Sequence, residues 1–329
     1  MLYLPHPSQK VLDDYHEKLA PKILGKVNDP KFKLNVKARN HLTLKKIIEI
    51  LTAKPDRLMQ LHLEIMPKLI QRFTEAEYLS YVDGKKRRAI PAALKRYKNV
   101  NKLLKIFDYE QFISKSKYRS YTLARSLSRN TCTYCNRLYT NTVDYKDPLT
   151  GNVNDETRIT RPQFDHWYAH SIFPLLGLSY YNLIPSCSIC NTSVKGDDMY
   201  SLSTHIHPYV FETGQTFKFS YSQRGPDSYA VEILANPGTK INKFLTEMKM
   251  KEVYNAHVDL ELKDLINLKK KYSENYLDTL FNETLNHINI TKPEIYRMIF
   301  GIEVKEDNYH RRTFSKFKAD ILAELMTIE

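Results

Sequence analysis

The stretch that decides the fold runs from Arg161 to Asp198 and reads RPQFDHWYAHSIFPLLGLSYYNLIPSCSICNTSVKGDD. Its polar landmarks, in chain order, are Asp165-His166, Asn182 and Cys187-Ser-Ile-Cys190-Asn191. A second Cys-x-x-Cys pair, Cys132-Thr-Tyr-Cys135, lies upstream. Because these two pieces hold all four cysteines of the 329-residue chain, we expect them to meet in the folded protein.

The cysteine spacing predicts a structural zinc site. A two-residue gap lets both thiolates of a tight turn reach one ion, and two such turns complete a tetrahedral site of four thiolates. The 51 residues between Cys135 and Cys187 exceed the commonest zinc-ribbon spacing, but the chain has no other cysteine. Four protein thiolates leave no position for a substrate, so the predicted role is structural. Two unrelated buried pairs, or a redox Cys-x-x-Cys pair, are the alternatives.

The polar residues beside the cysteines are of the kinds that phosphodiester hydrolysis needs, namely a base for water and a hard cation. The Asp165 carboxylate and the Asn191 amide oxygen suit Mg²⁺ or Mn²⁺. Consecutive strand residues point to opposite faces, so His166 can hold the water while its neighbour holds the metal. We therefore predict a metal-dependent nuclease site.

Three further residues are candidates for substrate contact. Arg161 and Lys195 flank the site and can reach phosphates, with a solvated surface position as the alternative. His207 follows His205 behind the acidic pair at residues 197–198 and is a candidate metal or phosphate ligand. A structural role for His207 in the turn before the next hairpin is the competing interpretation.

At these residues the chain resembles the HNH nucleases, the zinc-stapled branch of the ββα-metal fold, in the HNN variant whose last motif residue is Asn. The resemblance covers about residues 130–200. It implies His166 as general base, Asp165 and Asn191 as metal ligands, and Asn182 as the residue that fixes the loop and the imidazole. It also implies that the four cysteines form the structural zinc knuckles of that family: Cys132, Cys135, Cys187 and Cys190.

A narrower resemblance extends over the text DHWY at 165–168, SYYNLIPSC at 179–187, KGD at 195–197, HPY at 207–209 and FSKFK at 314–318. This text is similar to HNH nucleases of bacterial anti-phage systems, including Septu-type and retron-associated ones. That kinship implies an effector nuclease held in check by an ATPase or another sensor partner. His170 stands where such relatives are expected to have lysine, so its phosphate contact would be weaker or pH-dependent.

The charge distribution indicates a polyanionic partner. Residues 1–130 hold 28 Lys and Arg against 12 Asp and Glu, whereas residues 131–329 hold 22 against 25, for a net charge of +13. Such a basic block attracts nucleic-acid phosphates, with solvated helix faces as the alternative. Its clusters are Lys85–Arg88, Lys95–Lys98 and Lys115–Arg119, and we expect the interleaved Tyr97, Tyr118 and Tyr121 to stack on bases or sugars. A membrane surface competes as partner, but Trp167 is the sole tryptophan.

The predicted fold class is α+β, with a small ββα-metal core embedded between mainly helical N- and C-terminal regions. We predict a basic helical region at 1–128, the zinc-stapled core at 129–210, and a hairpin plus helical region at 211–329. Residues 137–145 and 156–164 are expected to form a hairpin that leads into Asp165, and 216–222 with 228–234 a second one. No export signal or apolar run of membrane length occurs, which predicts a cytoplasmic protein without membrane contact.

The expected function is cleavage of DNA with little sequence specificity. An RNA-directed nuclease has the same chemistry, and a catalytically silent zinc-stabilised nucleic-acid-binding module has the same basic region and cysteines. We expect Cys132→Ser to damage folding more than chemistry, and Asp165→Ala to leave the fold intact.

Overall fold

The computed structural model describes residues 3–148, 150–271 and 290–327, together with the single residues 276, 279 and 283. It is an α+β fold in which helices predominate and the strands form small antiparallel sheets. The helices of the described ranges are α1 Gln9–Asn28, α2 Val36–His41, α3 Leu44–Thr52, α4 Pro55–Leu69, α5 Glu75–Lys86, α6 Val100–Ile106, α7 Lys117–Leu127, α8 Lys240–Glu247, α9 Met250–Asn255, α10 Lys263–Lys271, α11 Lys292–Phe300 and α12 Ser315–Thr327. The strands of those ranges are β1 Val143–Asp144, β2 Arg158–Thr160, β3 Gln163–His166, β4 Leu183–Ser186, β5 Phe217–Gly225 and β6 Ser228–Ala235.

The N-terminal region is helical, as the apolar periodicity predicts. Leu58, Leu61 and Ile65 form one fully buried stripe on α4, where Pro55 takes the first helical position and needs no backbone partner. Pro67 lies inside α4, where a proline would be expected to end a helix, but α4 continues to Leu69. A proline two residues before a helix end removes a single backbone donor and leaves the last turn intact.

The tyrosines of the basic series do not form the predicted stacking surface. Tyr97 is fully buried and Tyr121 nearly so, because both rings pack into the hydrophobic core or its edge. Tyr118 alone of the three is exposed, with its ring between Lys18 and Arg158. Bases cannot reach the two buried rings, which makes the expectation wrong for Tyr97 and Tyr121.

The hairpin expected before Asp165 differs from the observed one. Strand β1 pairs with β2 over a short ladder, and the chain then breaks at Pro162, which has no backbone N–H to donate. Asp165 and His166 lie on the next strand, β3, which pairs antiparallel with β4 in the register Asp165↔Ile184 and His166↔Leu183. The helical segment Ile189–Lys195 follows β4, so Asp165 lies on a hairpin that comes later in the chain than the one predicted from the sequence.

The C-terminal region begins with the second predicted hairpin, in which β5 and β6 pair from Phe217↔Ala235 to Gly225↔Ser228. Helix α12 packs against β5, and its residues Phe317 and Ile321 are buried. The predicted helical continuation between 272 and 289 lies almost entirely outside the described residues. One continuous hydrophobic core contains residues from all three predicted regions, from Leu4 to Leu322.

No helix within the described part of the chain combines the length and the apolar character that crossing a membrane requires.

Candidate active site

The four cysteines come together as a buried cluster. Their sulfur atoms all lie within 4.8 Å of one another, and the Cys135 and Cys187 sulfurs are 4.0 Å apart. Zinc–sulfur bonds of about 2.3 Å in a tetrahedron would place sulfurs roughly 3.8 Å apart. The donor chemistry and spacing therefore fit a metal such as zinc, and the predicted clustering of all four cysteines is confirmed.

Contacts from the C-terminal region fix the first pair of cysteines. Tyr254 donates its hydroxyl to the Cys135 carbonyl at 2.6 Å. The Asn136 side-chain amide donates to the Tyr309 and Arg312 carbonyls, each at 3.0 Å, and the Phe314 amide donates to the Asn136 carbonyl at 2.8 Å. The cluster thus joins three distant parts of the chain, and it is closed to solvent.

A cleft of about 560 Å³ opens beside the cluster. Five predicted site residues line it: Arg161, Asp165, His166, His170 and Asn191. Residues that the sequence interpretation did not single out complete the lining, among them Tyr109, Ser114, Gln163 and Asp197. The hairpin of β3 and β4 and the following helical segment bring these side chains to one place, although Tyr109 and Ser114 come from the N-terminal region.

His166 is held in one orientation by its surroundings. Its Nε2 lies 2.9 Å from the Gly177 carbonyl oxygen, and its ring centroid is 4.5 Å from that of Tyr109 and 4.4 Å from that of His170. A carbonyl can only accept, so Nε2 carries the proton of the neutral ring and Nδ1 keeps a lone pair. Burial, with a smaller contribution from His170, lowers the pKa of His166 well below its usual value, which favours the neutral form.

Gly177 is a signal that sequence reasoning missed. It is the only glycine between Gly151 and Gly196. A Cβ at this position would lie 3.3 Å from the Pro174 carbonyl oxygen and 3.4 Å from that of Phe107. The close approach of the chain to its neighbours therefore favours glycine there, and the Gly177 carbonyl faces the histidine.

Asp165 has two buried partners. Tyr134 donates its hydroxyl to Oδ2 at 2.5 Å, and the Lys195 Nζ lies 3.2 Å from Oδ1. Burial raises the pKa of the Asp165 carboxyl, while the Lys195 ammonium and the Tyr134 hydroxyl act in the opposite direction. Tyr134 lies inside the first Cys-x-x-Cys pair, so the cysteine frame reaches the carboxylate directly.

The structure does not place Lys195 on the surface, where the sequence interpretation had it touching phosphates. The side chain is fully buried, and Nζ also donates to the His166 carbonyl at 2.8 Å. The ammonium lies behind the cleft and is absent from its lining. Lys195 thus balances the charge of Asp165 from inside the protein.

Asn182 and Asn191 do different things. Asn182 is fully buried, and its amide accepts from the Tyr168 N–H at 2.7 Å and donates to the carbonyls of Tyr168 and Leu176. These bonds tie the two ends of the loop between β3 and β4. Asn191 lies at the cleft and donates Nδ2 to the Gln163 Oε1 at 2.9 Å, which leaves its Oδ1 as the atom that can bind a cation.

His170 and Arg161 line the cleft, whereas His207 does not. Burial lowers the pKa of His170. Arg161 packs its guanidinium over the Phe164 ring at 5.2 Å. His207 is fully buried against Trp167, with ring centroids 4.5 Å apart, and accepts from the Tyr209 N–H; it is therefore a core residue in this structure and not a cleft ligand.

Comparisons of the chain with family models, curated protein sequences and solved structures gave no match.

Proposed function

We propose that the protein is a metal-dependent endonuclease of the HNH type that hydrolyses phosphodiester bonds of DNA with little sequence specificity. The observation that carries the proposal is the cleft in which Asp165, His166 and Asn191 meet, on a β-hairpin followed by a short helical segment and joined to four cysteines. This arrangement provides a base, oxygen ligands for a cation and a rigid frame at one place.

His166 is the base in this proposal. The Gly177 carbonyl holds Nε2–H, so the free Nδ1 accepts the proton of an attacking water, and burial keeps the ring neutral at pH 7. The rings of Tyr109 and His170 both contact the imidazole and restrict its movement. A fixed and neutral imidazole is suited to removing a proton from water positioned at a phosphate.

Mg²⁺ or Mn²⁺ would be held by the Asp165 carboxylate and the Asn191 Oδ1. Each Asp165 oxygen accepts one hydrogen bond, and a carboxylate has about four acceptor sites, so capacity for a cation remains. Asp197 adds another carboxylate to the lining. Such oxygen donors fit a hard cation, which when bound supplies positive charge to the phosphoryl group and the leaving oxygen.

Zinc in the four-cysteine cluster is the structural part of the proposal. Because all four sulfurs are buried, the ion would hold the first Cys-x-x-Cys turn against the end of β4 and take no part in the reaction. The same frame positions Tyr134 on Asp165.

The wider biological role we propose is that of a cytoplasmic defence effector that an ATPase or another sensor partner controls. Resemblance of the text around Asp165 to anti-phage HNH nucleases supports this role. The base and the cation act on the phosphate and not on the sugar, so an RNA substrate is consistent with the same site. A panel of double-stranded DNA, single-stranded DNA and RNA distinguishes the substrates.

One observation favours the second candidate, a catalytically silent nucleic-acid-binding module. The Lys195 ammonium lies on Asp165, the carboxylate that a catalytic metal would need. In a silent module Asp165 would stay paired with Lys195 and would bind no metal ion. That candidate predicts that the protein keeps its full biological effect when both Asp165 and His166 are replaced.

The deciding experiment is a nicking assay on plasmid DNA with Mg²⁺, alone and with any partner encoded beside the gene. His166→Ala should lower the cleavage rate by about 10²–10⁴-fold, the usual contribution of a positioned base. His6→Ala is the control, because His6 is exposed and does not line the cleft. Cleavage by His166→Ala at the wild-type rate would exclude the assigned base.

A further inference from the structure

The basic run Lys85-Lys86-Arg87-Arg88, here called the basic rim, lies at the edge of the cleft. Lys85 and Lys86 belong to the last turn of α5, Arg87 and Arg88 follow it, and all four residues are exposed. Lys86 donates its ammonium to the backbone carbonyl of Asp197 at 3.4 Å, and Asp197 lines the cleft. The tertiary fold therefore places the densest cationic run of the N-terminal region beside His166, although the two are far apart in the sequence.

The charges of the basic rim are largely free. Arg87 pairs with Asp83 at 2.9 Å, yet its side chain remains 75% exposed. Within the described part of the chain, Lys85, Lys86 and Arg88 have no ion pair with an acidic side chain. Exposed cations without intramolecular partners are available to an external anion.

Several other cations of the N-terminal region are already paired. Arg57 binds both Glu49 and Glu64, Arg96 binds Glu77, and Lys26 lies 3.7 Å from Asp108. These pairs neutralise part of the positive charge of the region. The basic rim differs from them because most of its charge is unpaired and lies next to the cleft.

Two further cations, Arg161 and Lys115, lie at or near the cleft. Arg161 lines the cleft and its Nη2 lies 3.5 Å from the Ser114 carbonyl oxygen. Lys115 follows Ser114, and its side chain is 73% exposed although it pairs with Glu110. A polyanion in the cleft would meet these cations as well as the basic rim, which would offset the repulsion from Asp165 and Asp197.

We infer that the basic rim is the docking edge for the phosphate backbone of a nucleic acid, and that it contacts phosphates flanking the one over His166. The identity of the polyanion rests on the proposed function. Binding at this edge is independent of base sequence, because these lysines and arginines would contact backbone phosphates and not the edges of the bases. The buried Tyr97 and Tyr121 take no part in it.

The test compares two fourfold variants in a His166→Ala background without added Mg²⁺ or Mn²⁺, so that binding is measured without cleavage and without a chelator that would strip structural zinc. The rim variant is K85Q/K86Q/R87Q/R88Q. The control is K37Q/K45Q/K54Q/K68Q, which removes the same charge from exposed positions of the same region that do not line the cleft. Fluorescence anisotropy with labelled duplex DNA, single-stranded DNA and RNA gives Kd between about 50 and 200 mM salt.

The rim variant should bind roughly tenfold or more weakly than the control, and its slope of log Kd against log salt should fall by about 0.9 for each duplex phosphate that is no longer neutralised. Circular dichroism verifies that both variants are folded. Equal binding by the two variants would overturn the inference, and so would an absence of nucleic-acid binding by the parent protein. Rim-dependent binding by a wild-type protein that cleaves nothing, even with Mg²⁺ and any partner encoded beside the gene, would leave this inference standing and reject the nuclease.

Discussion

The four-cysteine cluster and the cleft beside it are both built from buried polar groups, but they differ in what those groups face. The cysteine sulfurs face one another and the surrounding protein, with the Cys135 and Cys187 sulfurs 4.0 Å apart. His166 and Asp165 are equally buried, yet both contribute to the lining of an open cleft. A closed set of ligands suits a structural ion, whereas a buried base with one open side suits chemistry on an external molecule.

The two sites are nevertheless coupled. Tyr134 lies between the first two cysteines in sequence and donates to Asp165, while Lys195 closes the helical segment that begins after Cys187 and bonds to the same carboxylate. The frame thus sets the position of the reactive group. We therefore expect large folding effects from changes in the cluster and mixed effects from changes in the cleft.

The largest effect should come from Cys132→Ser. A structural zinc ion contributes about 10–16 kcal/mol of binding free energy in small zinc-finger peptides, so removing one thiolate ligand should unfold much of this core. Metal analysis should find about one zinc per wild-type chain and little in the variant, together with a fall in Tm. A variant with wild-type Tm, or a stably folded wild type without zinc, would refute the structural role of the cluster.

Asp165→Ala should have the next largest effect, and the structure changes the expectation that this variant keeps a fully stable fold. Removing the carboxylate leaves the Lys195 ammonium buried without its counter-charge, which typically costs about 3–5 kcal/mol. Denaturant unfolding measures the loss. Asp165→Ala with Lys195→Met should regain most of the stability but no cleavage.

Asn191→Ala is the matched control, because the Asn191 side chain lines the cleft and bonds only the exposed side chain of Gln163. Its unfolding free energy should stay within about 1 kcal/mol of wild type. If Asp165→Ala were as stable as Asn191→Ala, the buried pair would not stabilise the fold.

Acid should weaken the fold through histidines outside both sites. His62 of α4 is buried against Phe173, its Nδ1 has no partner in the described part of the chain, and burial lowers its pKa to about 3. The unfolded chain takes up a proton near pH 6.5 and the folded chain does not, so stability falls as the pH drops from about 6.5 towards 3. At pH 5 the loss amounts to about 2 kcal/mol for this residue.

His62→Phe should therefore flatten the dependence of unfolding free energy on pH between 7 and about 5 by that amount. Release of the proposed zinc ion in acid would also destabilise the protein, so the measured quantity is the difference between variant and wild type. At pH 8, where histidine is neutral in both the folded and the unfolded chain, the difference between their unfolding free energies reflects packing alone. A difference that does not change with pH would show that His62 is not kept neutral by the fold.

Local sequence patterns predicted several parts of the structure well. Two Cys-x-x-Cys pairs in a chain with no other cysteine were sufficient to expect one cluster, because two-residue gaps place thiolates on the same turn. Alternating residues likewise located β5 and β6 to within a few positions. The residues expected at the cleft include Asp165, His166 and Asn191, and all three line it.

Other features depended on partners that are distant in the chain. The sequence at 156–164 has the composition of a strand throughout, but Pro162 divides it. The partner of β3 is β4, which itself contains a proline, Pro185. A two-stranded sheet leaves one edge of each strand free, so a proline is tolerated there. Lys195 looked like a surface lysine because its sequence neighbours are polar, and only the fold supplies Asp165 as a buried partner.

The sequence by itself determined which chemistry is available: four thiolates in two turns, a carboxylate next to an imidazole, and an amide directly after the last cysteine. These groups depend on residue type and on short spacings in the sequence. Local backbone geometry alone places residues at such spacings next to each other. Only the tertiary structure decided what each group faces. The Gly177 carbonyl orients His166, Lys195 and Tyr134 hold Asp165, and Lys86 reaches Asp197 across 111 residues. Such contacts follow from how a whole core packs, and no local pattern encodes them.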